Sequence, residues 1–176
     1  GIKYLSIYAF STENFNRSVE EVSYLMDLLI ATFNKKLKNL AKDNIKVVFS
    51  VRRENLSDKV LACIDKVTEI TKDNTGGTLN VCFNYGSKSE IVDACNKLAK
   101  DNKEITEENI SQYLYQDIPP LDLVIRTSGE YRLSNFMLWQ ASYAELYFTK
   151  VYFPDFDEHE FDLALEEYNH RHRRFG

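Results

Sequence analysis

Residues 121–148 read LDLVIRTSGEYRLSNFMLWQASYAELYF, and the way this stretch begins decides the fold. Leu121–Ile125 is an apolar run of strand length. It breaks at once into Arg126-Thr127-Ser128-Gly129-Glu130-Tyr131-Arg132, with Ser134 just beyond. A buried strand that delivers guanidinium groups, hydroxyls and a glycine into a turn suits an oxyanion. Arginine offers a rigid fork of donors that matches carboxylate or phosphate oxygens. Thr127, Ser128 and Ser134 add hydroxyl donors, and Gly129 lets backbone N–H groups approach a ligand. Glu145 follows among Tyr143, Ala144, Leu146, Tyr147 and Phe148, where a carboxylate is costly without a cation. Two cations would serve it: Mg²⁺ shared with phosphate oxygens and water, or an arginine inside the fold.

Outward from this stretch, segments alternate with the periods of strand and helix. Ile2–Ala9 reads as a strand and ends in a second polar turn, Ser11–Arg17. Ser18 opens a helix, with Glu21 completing a capping box. Its inner face carries Val22, Leu25, Met26, Leu29, Phe33, Leu37 and Leu40. Ile45–Val51 is a second strand, Ser57 caps a second helix, and Thr78–Asn84 is a third strand. Ser87 and Glu90 form another capping box, and Thr106 begins a short helix that Pro119-Pro120 stops. Downstream, a short helix is expected over residues 133–142, a strand over Leu146–Tyr152, and a last helix capped by Asp157 and Glu160. The basic end of that helix, Arg171-His172-Arg173-Arg174, suits the negative pole of its dipole.

This order predicts an α/β fold: a single domain with a largely parallel central sheet flanked by helices. Parallel sheets present ligands outside the carboxyl ends of their strands. The turns Ser11–Arg17 and Arg126–Ser134 are therefore expected on one edge, with Arg17, Arg126, Arg132 and Ser134 around one anion. Three guanidinium groups favour a diphosphate over a single carboxylate. Leu25, Leu28, Leu29, Phe33, Ile45, Val47 and Phe49 read as core, and the alternative is that a subset lines a hydrocarbon tunnel. Spacing serves both readings.

Composition bounds the rest. A chain of 176 residues fits one domain with a real core. No apolar run reaches membrane-spanning length. A net charge of −5 gives no support to a nucleic-acid partner. Cys63, Cys82 and Cys95 have no CxxC spacing and read as reduced cysteines of a cytoplasmic protein, without zinc. Because a strand already starts at Ile2, a further segment is expected to precede Gly1.

IYAFSTENFNR, NYG, RTSGEYRLSNF, PDFD and the terminal RRFG resemble the cis-prenyltransferases, the undecaprenyl diphosphate synthase family, over nearly the whole chain. The resemblance implies a Mg²⁺-dependent homodimer that condenses isopentenyl diphosphate onto an allylic diphosphate, usually farnesyl diphosphate. The product is a long-chain polyprenyl diphosphate, a lipid carrier for cell-wall precursors, that grows in a tunnel between sheet and helices and implies a peripheral membrane contact on release. Carried over, Arg126, Arg132, Leu133 and Ser134 hold isopentenyl diphosphate, and Glu145 is a Mg²⁺ ligand. Ser11, Thr12, Glu13, Asn14, Phe15 and Arg17 form the turn that places substrate for proton abstraction. Asn14 stands where the family's proton acceptor is assigned, although a neutral amide is a poor base and suits relay to a diphosphate oxygen better. Arg174 and Gly176 match a C-terminal motif that reaches a substrate phosphate across the dimer.

Departures accompany the match. The family's N-terminal His-x-x-x-Val-Met-Asp-Gly-Asn-x-Arg-Trp-Ala has no counterpart in residues 1–176, so these residues alone are expected to be inactive. Phe15 stands for the family's Trp and Ser18 for its Pro. Val51-Arg52 replaces Gly-Asp, and Gly86-Ser87-Lys88 replaces Gly-Gly-Arg, both near the expected site's edge. The alternative reading is a non-catalytic partner subunit, or a decayed paralogue, acting through the dimer face.

Overall fold

The computed structural model describes residues 1–171. Its strand pairings are all parallel, as the alternation predicts. The chain divides into two compact units, Gly1–Ile118 and Pro119–Gly176. The strands are shared between a three-stranded and a two-stranded sheet.

In the first unit, β1 (Tyr4–Ser11) and β2 (Ile45–Val51) flank β3 (Gly77–Tyr85). Helices α1 (Val19–Lys42), α2 (Asp58–Thr71), α3 (Ser87–Lys100) and α4 (Glu107–Tyr113) complete it. The central strand is buried along Val81, Cys82, Phe83 and Tyr85, as a strand covered on both faces must be. Leu29, Phe33 and Leu37 of α1 and Val60, Ile64 and Val67 of α2 pack with Val47, Phe49, Val81 and Phe83 in one cluster. The expected caps form: Ser18 Oγ accepts from the Glu21 N–H at 3.2 Å, Ser57 Oγ from the Val60 N–H at 3.4 Å, and Thr106 Oγ1 from the Asn109 N–H at 3.1 Å.

Two predicted capping boxes are corrected. The Glu21 carboxylate pairs with Arg17 rather than reaching back to Ser18. Gly86, not Ser87, caps α3. Glu90 turns inward to 0% exposure, accepting from the Tyr85 hydroxyl at 2.6 Å and the Tyr115 N–H at 3.1 Å. These two donors satisfy the buried carboxylate.

In the second unit, β4 (Leu123–Arg126) pairs in register with β5 (Glu145–Phe148), and α5 (Glu158–His170) follows its Asp157 cap. Residues 133–142 form successive turns, not the predicted helix. Ser134, Asn135 and Met137 have φ of 50°, 63° and 43°, and left-handed residues cannot propagate a right-handed helix.

Glu90→Ala leaves a buried hydroxyl and a half-buried N–H without their acceptor and should cost about 3 kcal/mol by urea denaturation. Burial, and then the Glu90 charge, pushes the Tyr85 hydroxyl above its ordinary value. The unfolded chain releases that proton near pH ~10 while the folded chain keeps it. Stability is thus full below that pH and falls above it, by about 1.4 kcal/mol per pH unit from this group. Tyr85→Phe should remove that slope in denaturant melts above about pH 10.

Candidate functional site

The loop after β4 is tied down by its own backbone. The Thr149 N–H donates to the Arg126 carbonyl at 2.9 Å, Ser128 N–H to Val151 O at 2.8 Å, and Gly129 N–H to Thr149 O at 2.8 Å. Ser128 and Gly129 are both left-handed, with φ of 71° and 69°. The expectation that the Gly129 N–H faces a ligand is corrected, because Thr149 already accepts from it. What the glycine supplies is conformation: a Cβ there would meet nothing nearer than Lys150 Cγ at 3.8 Å.

This loop carries Arg126, Thr127, Ser128, Arg132, Leu133 and Ser134. The Arg126 Nε is buried and has no hydrogen-bond partner among the described residues. An N–H of a charged group sealed from water without an acceptor is costly, and an incoming oxyanion would satisfy it. Arg132 is exposed and pairs with Glu130. The Tyr131 ring stands in solvent, tilted on Phe148 at 5.2 Å. Ser134 is exposed.

Glu145 opens β5. Its Oε2 accepts from Arg171 Nη1 at 3.0 Å, and Arg171 also pairs with Glu167. Of the two cations considered for this carboxylate, the arginine is present. Among the described residues no three His, Cys, Asp or Glu side chains gather as a metal cage. A Mg²⁺ that takes most of its oxygens from diphosphate and water needs one carboxylate, and the ion pair leaves Oε1 for that use. The donor set fits a metal brought with the substrate. Arg174 and Gly176 lie outside the described residues.

The other polar turn lies in the first unit, as a 3₁₀ turn over Thr12–Asn16. Asn14 Oδ1 accepts from the Ser11 N–H at 2.8 Å, so its acceptor atom is engaged and its NH₂ is the group left to donate. Thr12 Oγ1 donates to Glu13 Oε2 at 3.0 Å. Arg17 holds Glu21. The Phe15 ring meets Phe10 edge-on at 5.1 Å. A cleft of about 380 Å³ lies at the carboxyl ends of β1, β2 and β3, lined by Thr12, Phe15, Arg52, Asn55 and Asn84. Phe15 and Asn55 also border a groove of about 240 Å³ between α1 and α2, with Val22, Met26, Ile30, Leu56 and Val60 on its apolar side and Ser23, Ser57 and the Asp27–Lys59 ion pair on its polar side.

Asn55 and Asn84 are site residues that sequence reasoning missed. Asn84 is left-handed, with φ of 45°, and its Nδ2 donates to the carbonyls of Arg52 at 2.6 Å and Glu54 at 3.0 Å. It thereby fixes the loop after β2. An asparagine two residues before a glycine at the end of a strand, in Asn84-Tyr85-Gly86, was the available signal. Arg52 belongs to the cleft wall, held by Glu54 and by Asp93 at 3.4 Å. Of the residues weighed as core or tunnel, Leu29, Phe33, Val47 and Phe49 are core, with Phe33 and Phe49 rings 5.3 Å apart. Leu28 is exposed, and the groove is lined by a different set. All three cysteines are free, and Cys63 and Cys82 are buried.

Residues 1–176 match the family model described as "Putative undecaprenyl diphosphate synthase". The chain is 56% identical to an isoprenyl transferase of Fusobacterium nucleatum, over 100% of its own length and 77% of the relative's. It is 47% identical to an isoprenyl transferase of Thermotoga maritima, covering 100% and 78%. Among solved structures it resembles a probable undecaprenyl diphosphate synthase from Campylobacter jejuni, with a TM-score of 0.92 at 36% identity, covering 99% and 83%. It also resembles lavandulyl diphosphate synthase from Lavandula x intermedia, solved with dimethylallyl diphosphate, with a TM-score of 0.93 at 34% identity, covering 100% and 80%.

Gly129→Ala should cost about 1–2 kcal/mol in urea denaturation, the price of a left-handed alanine. Gly129→Asn, which tolerates that backbone, should recover most of the loss.

Proposed function

The chain belongs to the undecaprenyl diphosphate synthase family, and from that premise we propose that it is a cis-prenyltransferase. It joins isopentenyl diphosphate to an allylic diphosphate, farnesyl diphosphate by the habit of the family, and makes a long-chain polyprenyl diphosphate. The observation that carries the reading is the buried, unpartnered Nε of Arg126 in a loop whose backbone is already committed.

The reaction is an electrophilic alkylation. The allylic C–O bond breaks and its electron pair leaves with the diphosphate. The isopentenyl double bond supplies the electrons of the new C–C bond, and loss of a proton restores an alkene. Arg126 and Arg132, with Leu133 and Ser134, hold the isopentenyl diphosphate. The Arg126 Nε–H gains the acceptor it lacks, so binding energy and position come together. Ser11, Thr12, Glu13, Phe15 and Arg17 present the substrate-facing turn of the first unit. Asn14, with Oδ1 engaged by Ser11, donates its NH₂ to a diphosphate oxygen, and that oxygen takes the proton. An amide serves better in this part than as a base. The apolar side of the groove, bounded by Phe15, Met26 and Ile30, accepts hydrocarbon. Glu145 would hold Mg²⁺, which neutralises charge on the departing diphosphate when bound. The active form is a cytoplasmic homodimer, with Arg174 and Gly176 reaching a phosphate across the dimer.

A non-catalytic subunit has no use for a buried guanidinium N–H awaiting an acceptor. Residues 1–176, which lack the Asp-Gly-Asn-x-Arg motif, should bind isopentenyl diphosphate without condensing it. In a chain that carries that motif, Arg126→Ala should raise KM for isopentenyl diphosphate at least about tenfold and lower kcat, a loss of one charged hydrogen bond. The melting temperature should hold or rise. Unchanged kinetics would take Arg126 out of the site. Glu145→Gln should remove most turnover and weaken the response to Mg²⁺, and full activity at ordinary Mg²⁺ would return Glu145 to its ion pair with Arg171.

A further inference from the structure

Helix α1 has a second ordered face. Its buried stripe is Leu29, Phe33 and Leu37. Opposite it runs Tyr24, Leu28, Ala31, Lys35, Lys38 and Lys42, alternating four- and three-residue steps along one line of the helix. Every one of these six residues is exposed, Tyr24 by 65% and Leu28 by 46%. The stripe is apolar in its first half and cationic in its second. Among the described residues none of Lys35, Lys38 and Lys42 has an ion pair, although Asp and Glu outnumber Lys and Arg in the chain, 27 to 22.

A solvated helix face is the ordinary use of lysine. Two features go beyond it. Lysines at 35, 38 and 42 stand at three- and four-residue spacings, where like charges repel. The dipole at the helix C-terminus offsets this for Lys42, in the last turn, but acts little on Lys35 and Lys38. The same line also carries an exposed tyrosine and leucine, the pairing of amphipathic and apolar side chains that suits a membrane interface. Compact ammonium charges fit a diffuse anionic surface, whereas the fixed oxyanions of nucleic acid or an acidic protein favour guanidinium forks.

We propose that the outer face of α1 docks on an anionic lipid bilayer, with Lys35, Lys38 and Lys42 against the headgroups and Tyr24 and Leu28 in the interface. The stripe shares no residue with the proposed diphosphate-binding turns, and the proposal does not rest on the prenyl-transfer reading. A chain docked in this way would hand a lipid product directly to its membrane.

The test is cosedimentation of the full chain with vesicles of phosphatidylcholine alone or with about one third phosphatidylglycerol. Binding should require the anionic lipid and vanish at about 0.5 M salt. Each lysine near the surface contributes about fivefold, so Lys35→Gln, Lys38→Gln and Lys42→Gln together should weaken binding about a hundredfold. Glutamine keeps helix propensity, and circular dichroism checks that the fold is kept. Tyr24→Ser with Leu28→Ser should weaken binding severalfold at unchanged charge. Equal binding to both vesicles, a triple variant that binds like the parent, or a serine variant with undiminished affinity would overturn the proposal. So would an oligonucleotide or polyglutamate that competes at matched charge concentration. Isopentenyl diphosphate binding by the same variants should be unchanged, which separates failure of this surface from failure of the prenyl-transfer reading.

Discussion

A guanidinium N–H that is sealed from water and has no acceptor among the described residues is the constraint around which the second unit is arranged. Arg126 ends β4, and the parallel pairing of Leu123–Arg126 with Glu145–Phe148 fixes its backbone. The loop that follows cannot relax toward the side chain, because Ser128 and Gly129 give their N–H groups to Val151 and Thr149 in left-handed conformations. The cost of that N–H is therefore carried by the folded chain, and on the proposed reading it is recovered when an oxyanion binds.

The first unit prepares its polar turn differently. A core of α1, α2 and the three-stranded sheet holds the carboxyl ends of β1, β2 and β3 in place. Small local hydrogen bonds then set the chemistry. Asn14 is oriented by the backbone of Ser11, and Asn84 pins the carbonyls of Arg52 and Glu54. Phe15 borders both the polar cleft and the groove between α1 and α2, the position an aromatic ring would need to separate a charged head from a hydrocarbon tail. The same side-chain economy explains Glu90, a carboxylate whose two tyrosine-residue donors make burial tolerable.

Much of this was legible before any coordinates. Strand and helix periods located β2 to the residue, and Ser18, Ser57, Thr106 and Asp157 marked helix starts because a capping oxygen is a local need. The arginine-rich turn after β4 was visible because polar residues following a buried strand have few structural uses. The illegible parts depended on partners distant in sequence. Nothing in Ser87-Lys88-Ser89-Glu90 says that Tyr115 will donate to Glu90 from 25 residues away. Nor does any local pattern tell Arg171 from Mg²⁺ as the cation for Glu145, or separate the groove-lining Met26 and Ile30 from the core residues Leu29 and Phe33. Residues 133–142 misled because Leu133, Phe136, Met137 and Gln140 keep helical spacing while Ser134, Asn135 and Met137 adopt left-handed backbone.

The most direct examination of the account is the ¹⁵N–¹H correlation of the Arg126 side chain in residues 1–176, followed during titration with inorganic pyrophosphate. A prearranged oxyanion site predicts a resolved Nε–Hε signal that moves downfield and exchanges more slowly with water as pyrophosphate saturates. A signal that stays in place while pyrophosphate binds elsewhere, or no binding at all, would contradict it.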